Sequence, residues 1–143
     1  MEGVEMTILR WIAVPIVAVL ALYVIFILGM FATMWIPCPP DLVVSGACTA
    51  PWHQNTVNSL VVAFAGIAAF FVVRGAAWMA PSHRVAVAWA AYLVGFAFAV
   101  FALIDAKNAT SYLYATFFAA IASGLLALWL VIRAHRRATL SPM

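Results

Sequence analysis

Apolar residues along this chain gather into four long stretches, which short polar segments separate. A helix rises about 1.5 Å per residue, so it needs about 20 apolar residues to cross a hydrocarbon core about 30 Å thick. The stretches have this length and predict transmembrane helices at residues 11–35, 57–77, 85–105 and 111–132. We therefore expect an all-α membrane protein, a four transmembrane helix bundle that forms a single domain over residues 1–143.

The first stretch has to be distinguished from a cleaved signal peptide. A signal peptide has an apolar core of about 7–15 residues, followed by a small-residue cleavage site. The uncharged run from Trp11 to Trp35 is much longer, and no such site follows it. We interpret this stretch as a transmembrane helix.

Basic residues indicate how the helices are oriented, because those in short loops stay on the cytoplasmic side of a membrane. One face of the predicted topology carries all the arginines, which are Arg10, Arg74, Arg84, Arg133, Arg136 and Arg137. Lys107 is the one basic residue predicted on the opposite face. We therefore expect cytoplasmic N- and C-termini and an extracytoplasmic loop at residues 36–56.

Composition places the chain among multi-pass integral membrane proteins. It is 69% hydrophobic and 8% charged, whereas soluble domains are roughly half apolar and a quarter charged. The net charge of +3 comes from scattered arginines without a basic stripe, which argues against nucleic-acid binding. Arginine outnumbers lysine and alanine is abundant, so we expect a bacterial protein of the cytoplasmic (inner) membrane, with the lipid bilayer as its first partner.

Both cysteines, Cys38 and Cys48, lie in the predicted outer loop, together with several prolines and a Ser-Gly turn signal. The outer face is oxidising, so we expect a structural disulfide between them. A redox-active pair is one alternative, although it would normally show Cys-x-x-Cys spacing. A metal site that adds His53 and Asp41 is another, although structural zinc usually takes closely spaced ligand pairs. We expect no metal ion and no cofactor.

The densest polar group lies where the loop enters the second helix. We expect ligand or partner contacts in this group and at two residues predicted on the same face of the membrane. They are Trp52, His53, Gln54, Asn55, Asn58, Asp105 and Lys107. The alternative is an interfacial cap, in which Asn55 or Thr56 bonds the free backbone amides of the helix start.

Small residues spaced four apart predict close helix packing, because helices in lipid associate through backbone approach rather than hydrophobic exclusion. In the third and fourth helices these positions are Ala91, Gly95, Ala99, Ala115, Ala119, Ser123 and Ala127. They serve either packing within the chain or self-association between copies.

Several mechanisms lack the residues that they require. Proton-coupled small drug exporters keep a carboxylate inside a span, whereas the four apolar cores carry none. Four-helix membrane thiol oxidoreductases share the predicted topology but carry Cys-x-x-Cys and further cysteines. Asp41 and Asp105 are the only carboxylates predicted outside the cytoplasm, and we expect no catalytic residue.

We therefore expect a small non-enzymatic membrane protein, an accessory or assembly subunit that acts through helix contacts and a disulfide-closed outer loop. Its partners would be other membrane proteins or further copies of itself. One alternative is an oligomeric transport or small-ligand-binding module lined by Asn58, Ser59, Thr116 and Ser123. A membrane thiol redox protein is a further alternative.

Overall fold

Four long helices dominate the computed structural model, which describes residues 2–106 and 111–140, with side chains for 9–106 and 111–138. They are α1 (Glu2–Met34), α2 (Pro51–Met79), α3 (Arg84–Asp105) and α4 (Ser111–Leu140). Each contains a segment long and apolar enough to cross a membrane. The prediction of an all-α membrane protein with four helices of spanning length is confirmed.

α2 begins well before the apolar stretch that predicted it. Its first residue is Pro51, and Ala50 is its N-cap, with no capping side chain. Proline suits this position because its fixed φ is helical and its missing N–H would have had no partner. Asn55 and Thr56 consequently lie inside the helix, and the prediction that one of them caps its start is wrong.

α1 packs against α2 in the antiparallel sense. Near one end, a Cβ built on Gly29 would lie 3.3 Å from the ring of Phe64, and near the other, one built on Gly75 would lie 3.7 Å from Val17. Positions 64 and 75 fall on one side of α2 at about 3.6 residues per turn. This side of α2 is therefore the α1 side.

α4 packs on the opposite side of α2 and runs parallel to it. A Cβ built on Gly66 would lie 3.6 Å from both the Ala119 carbonyl oxygen and the Ser123 hydroxyl oxygen. Further along both helices, Val73 shares a buried cluster with Ala127. Positions 66 and 73 lie roughly half a turn away from the α1 side. α2 thus lies between α1 and α4.

α3 completes the bundle by packing against both α2 and α4. It is antiparallel to α4, since Tyr92 lies beside Gly124 while Phe96 lies 6.1 Å from Phe117 between ring centroids. The buried core is small and lies where these three helices meet. Its members are Val73, Ala77, Ala88, Ala127 and Leu128, surrounded by Phe70, Tyr92, Val131 and Ile132.

These directions place the arginine-bearing helix ends together. The start of α1, the end of α2, the start of α3 and the end of α4 form one end of the bundle, which we call the arginine end. The segment between α1 and α2 lies at the other end, which we call the hairpin end.

Most of the helical surface is apolar and faces outward. In the most apolar 18-residue segment of α1 and of α3, only 6% is buried within the protein. In α2 and α4 the corresponding share is 17%. A soluble monomer rarely exposes continuous apolar surface on this scale. The bilayer is the solvent that fits this surface, and α1 and α3 offer it the most area.

Candidate functional site

A short β-hairpin stands between α1 and α2. Strand β1 (Val43–Val44) pairs antiparallel with β2 (Ala47–Cys48), with Val43 opposite Cys48. The turn residues Ser45 and Gly46 have φ values of 51° and 80°. Two consecutive positive φ values characterise the type I′ turn, whose twist matches that of the flanking strands. The predicted Ser-Gly turn is therefore the tip of a hairpin.

A disulfide joins this hairpin to the segment that follows α1. Cys38 and Cys48 are bonded, with a Cα–Cα distance of 5.9 Å, so the predicted pairing is confirmed. The base of the hairpin is held as well, since Thr49 donates from its backbone N–H (2.9 Å) and its hydroxyl (2.8 Å) to the Leu42 carbonyl oxygen. The segment is ordered by covalent and hydrogen bonds rather than by burial in a core.

The hairpin presents apolar side chains outward. Val43 is 46% exposed and Val44 57% exposed. Adjacent residues in a strand point to opposite faces, so each face of the hairpin carries one exposed valine. Trp35, directly after α1, is 83% exposed, and Trp52 at the start of α2 is also exposed. We call these four exposed side chains, which lie on both faces of the hairpin and at its two flanks, the hairpin surface.

Composition alone did not identify the two valines as candidates. A usable signal was present, because a β-branched pair followed by Ser-Gly is the pattern of a two-residue hairpin. The signal is short and lies beside proline-rich sequence, so the pattern by itself predicts only a loop.

The polar group at the start of α2 bonds mainly within its own helix. Gln54 donates from its side-chain nitrogen to the Asn58 side-chain oxygen at 3.0 Å, and the Ser59 hydroxyl donates to the Asn55 carbonyl at 2.8 Å. His53 is half-buried, with its ring 6.0 Å from that of Trp52 between centroids. These side chains form a polar first section of a helix, and their use as a contact site stays a prediction.

Asp105 lies exposed at the end of α3. Within residues 2–106 and 111–140, no hydrogen bond or ion pair joins it to the polar section of α2. Lys107, the other predicted contact on this turn, lies outside the described residues. In the same ranges, no group of three His, Cys, Asp or Glu side chains is placed to hold a metal ion. Asp41 and His53 therefore do not form part of such a group.

The small-residue positions divide between packed and open surfaces. On α4, Ala119 and Ser123 face Gly66 of α2, and Ala127 is fully buried, whereas Ala115 is exposed. On α3, Ala91 and Ala99 are half-buried, while a Cβ built on Gly95 would meet no atom within 4 Å. The structure therefore brings Ala119, Ser123 and Ala127 into the bundle and leaves Ala115 and Gly95 facing outward.

Hydroxyl groups proposed for a transport path are engaged by their own helices. Ser59 donates to Asn55, Thr116 to the Tyr112 carbonyl at 2.8 Å, and Ser123 to the Ala119 carbonyl at 2.7 Å. The groove of about 380 Å³ beside Gly66 and Ser123 is otherwise lined by apolar side chains. The structure thus shows no continuous polar lining among these described residues.

No protein-family model matches this chain, and neither the curated proteins nor the solved structures contain a significant match to it.

Proposed function

We propose that this protein is a non-enzymatic accessory or assembly subunit of a membrane complex, and that it binds its partner through the hairpin surface. The observation that carries this proposal is the exposure of Val43 and Val44 on a disulfide-stapled hairpin outside the apolar spans. Exposed β-branched residues on a rigid element contribute apolar contact area while losing little conformational freedom on binding.

The backbone of the hairpin supports the same use. Strands β1 and β2 pair with each other in a two-stranded sheet. The outward-facing backbone groups of an edge strand are available to pair with a strand of another protein. A partner with an extended segment near the membrane surface would therefore gain both backbone hydrogen bonds and contact with the valines.

The helices offer a second kind of contact. α1 uses one side to pack on α2, and α3 leaves Gly95 open between half-buried Ala91 and Ala99. An open glycine lets another helix approach closely within the bilayer. Helix contact with the partner, or with a second copy, would thus accompany recognition by the hairpin.

The arginines support an orientation for this complex. Those at the arginine end would remain in the cytoplasm by the positive-inside rule, with both termini, so the hairpin would face outward. An oxidising outer face is where a disulfide persists. A bacterial cytoplasmic membrane, with its periplasmic side oxidising, fits both features.

The test is affinity purification of the full chain in mild detergent, compared with two matched variants. Val43→Thr with Val44→Thr keeps the β-branched shape and removes apolar surface, so we expect a stoichiometric partner to be lost. Val43→Ile with Val44→Ile keeps the apolar surface, so we expect the partner to be retained. Recovery of the chain alone in all cases, or equal recovery of the partner in all cases, would contradict the proposal.

The alternatives predict different results. A transport module would give solute flux in proteoliposomes of the purified chain, and this flux would not depend on Val43 or Val44. A thiol redox protein would exchange electrons with a dithiol partner through Cys38 and Cys48, and replacement of either cysteine would abolish that exchange. Under our proposal, neither flux nor electron exchange is expected.

A further inference from the structure

A groove lies at the arginine end, between the start of α3 and the last turns of α4. Its volume is about 740 Å³, and residues 81–86, Trp89 and His135 line it. Ligand sites in proteins commonly span about 300–1,000 Å³, so a small polar group fits within it. We call it the basic groove, after His83, Arg84 and His135.

The polar side chains in the basic groove are hydrogen-bond donors. Arg84, His83 and His135 are all exposed, and the Ser82 hydroxyl lies beside them. Among the described side chains, no carboxylate pairs with any of the three basic residues. The carboxylates whose side chains the structure describes, Asp41 and Asp105, lie toward the hairpin end of the molecule. A ligand with negative charge would therefore meet no carboxylate among the described residues of this groove.

The backbone contributes further donors. α3 begins at Arg84, and no side chain caps this start. The N–H groups of residues 84–86 have no carbonyl partner within the helix, and the positive end of the helix dipole lies there. Because residues 84–86 form part of the groove, these amides add to the side-chain donors. Phosphate oxygens are well suited to such a combination.

The depth of the groove points to a lipid as the source of that phosphate. Trp89 lies about 7.5 Å further along α3 than Arg84, from the helical rise, and is partly exposed. Tryptophan is enriched at the boundary between headgroups and acyl chains. The groove therefore has basic side chains at the end of the helix and an indole ring about one and a half turns further along it, an order that matches a headgroup followed by its acyl chains.

We propose that the basic groove binds the phosphate of an anionic phospholipid from the leaflet at the arginine end. Arg84, His135 and the free amides of α3 would contact the phosphate oxygens, and Trp89 would contact the glycerol and the first acyl carbons. This inference goes beyond the proposed function, because it concerns the opposite end of the molecule from the hairpin surface.

The test uses the full chain in nanodiscs of phosphatidylcholine that contain a minor fraction of phosphatidylglycerol, with bound lipid measured by native mass spectrometry. We expect phosphatidylglycerol to be enriched on the protein relative to the nanodisc. Arg84→Gln should lower this enrichment at least about fivefold, because it removes a charge-assisted contact to the phosphate oxygens that a residue outside the groove does not make. His135→Gln should also lower the enrichment of phosphatidylglycerol. Because His135 is exposed near the end of α4, this variant tests the groove even if Arg84→Gln does not fold.

Arg74→Gln is the matched control, since it removes the same charge at the arginine end from a residue outside the groove. We expect it to change enrichment less than twofold. An equal loss in Arg74→Gln and Arg84→Gln would overturn the proposal in favour of diffuse charge attraction. Soluble glycerol phosphate that binds as well as phosphatidylglycerol would overturn the lipid assignment, as would a wild-type protein without lipid preference.

Discussion

Gly124 of α4 lies directly against the ring of Tyr92 on α3, so that a Cβ built on the glycine would come within 3.0 Å of Tyr92 Cδ2. The ring has neighbours on its own helix, with Phe96 stacked at 6.4 Å and Trp89 edge-on at 6.3 Å between centroids. A small residue at position 124 is therefore what lets α3 and α4 approach.

We predict that Gly124→Val destabilises the bundle by about 1–3 kcal/mol, the usual cost of overpacking. The added methyl groups would force the Tyr92 ring away from Phe96 or separate the helices. Thermal unfolding in detergent measures the effect. Gly95→Val is the control, because that position has open space and the same change in helix propensity. Equal destabilisation by both variants would show that the Tyr92 contact is unimportant.

Removing the disulfide should loosen the hairpin while leaving the helices in place. Replacing Cys38 or Cys48 by serine reopens a short loop, and closing such a loop contributes about 2–3 kcal/mol. We expect faster proteolysis within residues 36–50 and an unchanged helical signal in circular dichroism. In the wild-type protein, a thiol reagent should label neither cysteine before reduction. Labelling of both without reduction would contradict the pairing.

A separate prediction concerns the hairpin turn, in which Ser45 and Gly46 both have positive φ. Gly46→Ala puts a side chain into the left-handed region, at a cost of roughly 1–2 kcal/mol. We expect disulfide formation in a glutathione buffer to become at least about fivefold less favourable.

Ser45→Asn is the companion variant, since asparagine tolerates this conformation and Asn-Gly favours the same turn. We expect it to preserve or increase the oxidised fraction. If Gly46→Ala left this fraction unchanged, the turn would not contribute to pairing of the cysteines.

The proposed orientation predicts which loop a reagent reaches from outside. We expect Ser45→Cys, in a chain with both native cysteines replaced by serine, to react with a membrane-impermeant maleimide in intact cells. Ser82→Cys, in the loop between α2 and α3, should react only after the membrane is permeabilised. The reverse pattern would contradict the orientation inferred from the arginines.

Much of the helical content could be predicted because long uncharged runs have few alternatives to a spanning helix in lipid. The first residue of α2 could not be predicted in this way. Its polar start at residues 51–56 resembles a loop by hydropathy, yet Pro51 has the fixed φ of a first helical residue, and the polar side chains of Gln54 and Asn58 bond each other along the helix. The pairing of Cys38 with Cys48 could be predicted because both cysteines lie in one loop on the face expected to be oxidising.

The four-residue spacing of small residues does not predict which of them pack, or which residues they pack against. Gly95 and Gly124 both lie among small residues, but Gly124 meets Tyr92 whereas Gly95 meets nothing within 4 Å. Likewise His83 and His135 are far apart in sequence and line the same groove. Such pairings depend on how each helix is rotated and which neighbour it meets.

The sequence by itself determined that four apolar helices span a bilayer-sized length and that two cysteines can close one loop, because hydropathy and short-range connectivity are local properties. Only the tertiary structure decided that α2 lies between α1 and α4, that the loop exposes Val43 and Val44, and that a basic groove forms at the arginine end. These features arise from helix rotation and from contacts between distant segments, and apolar spacing alone leaves several such arrangements open in lipid, where no hydrophobic exclusion selects among them.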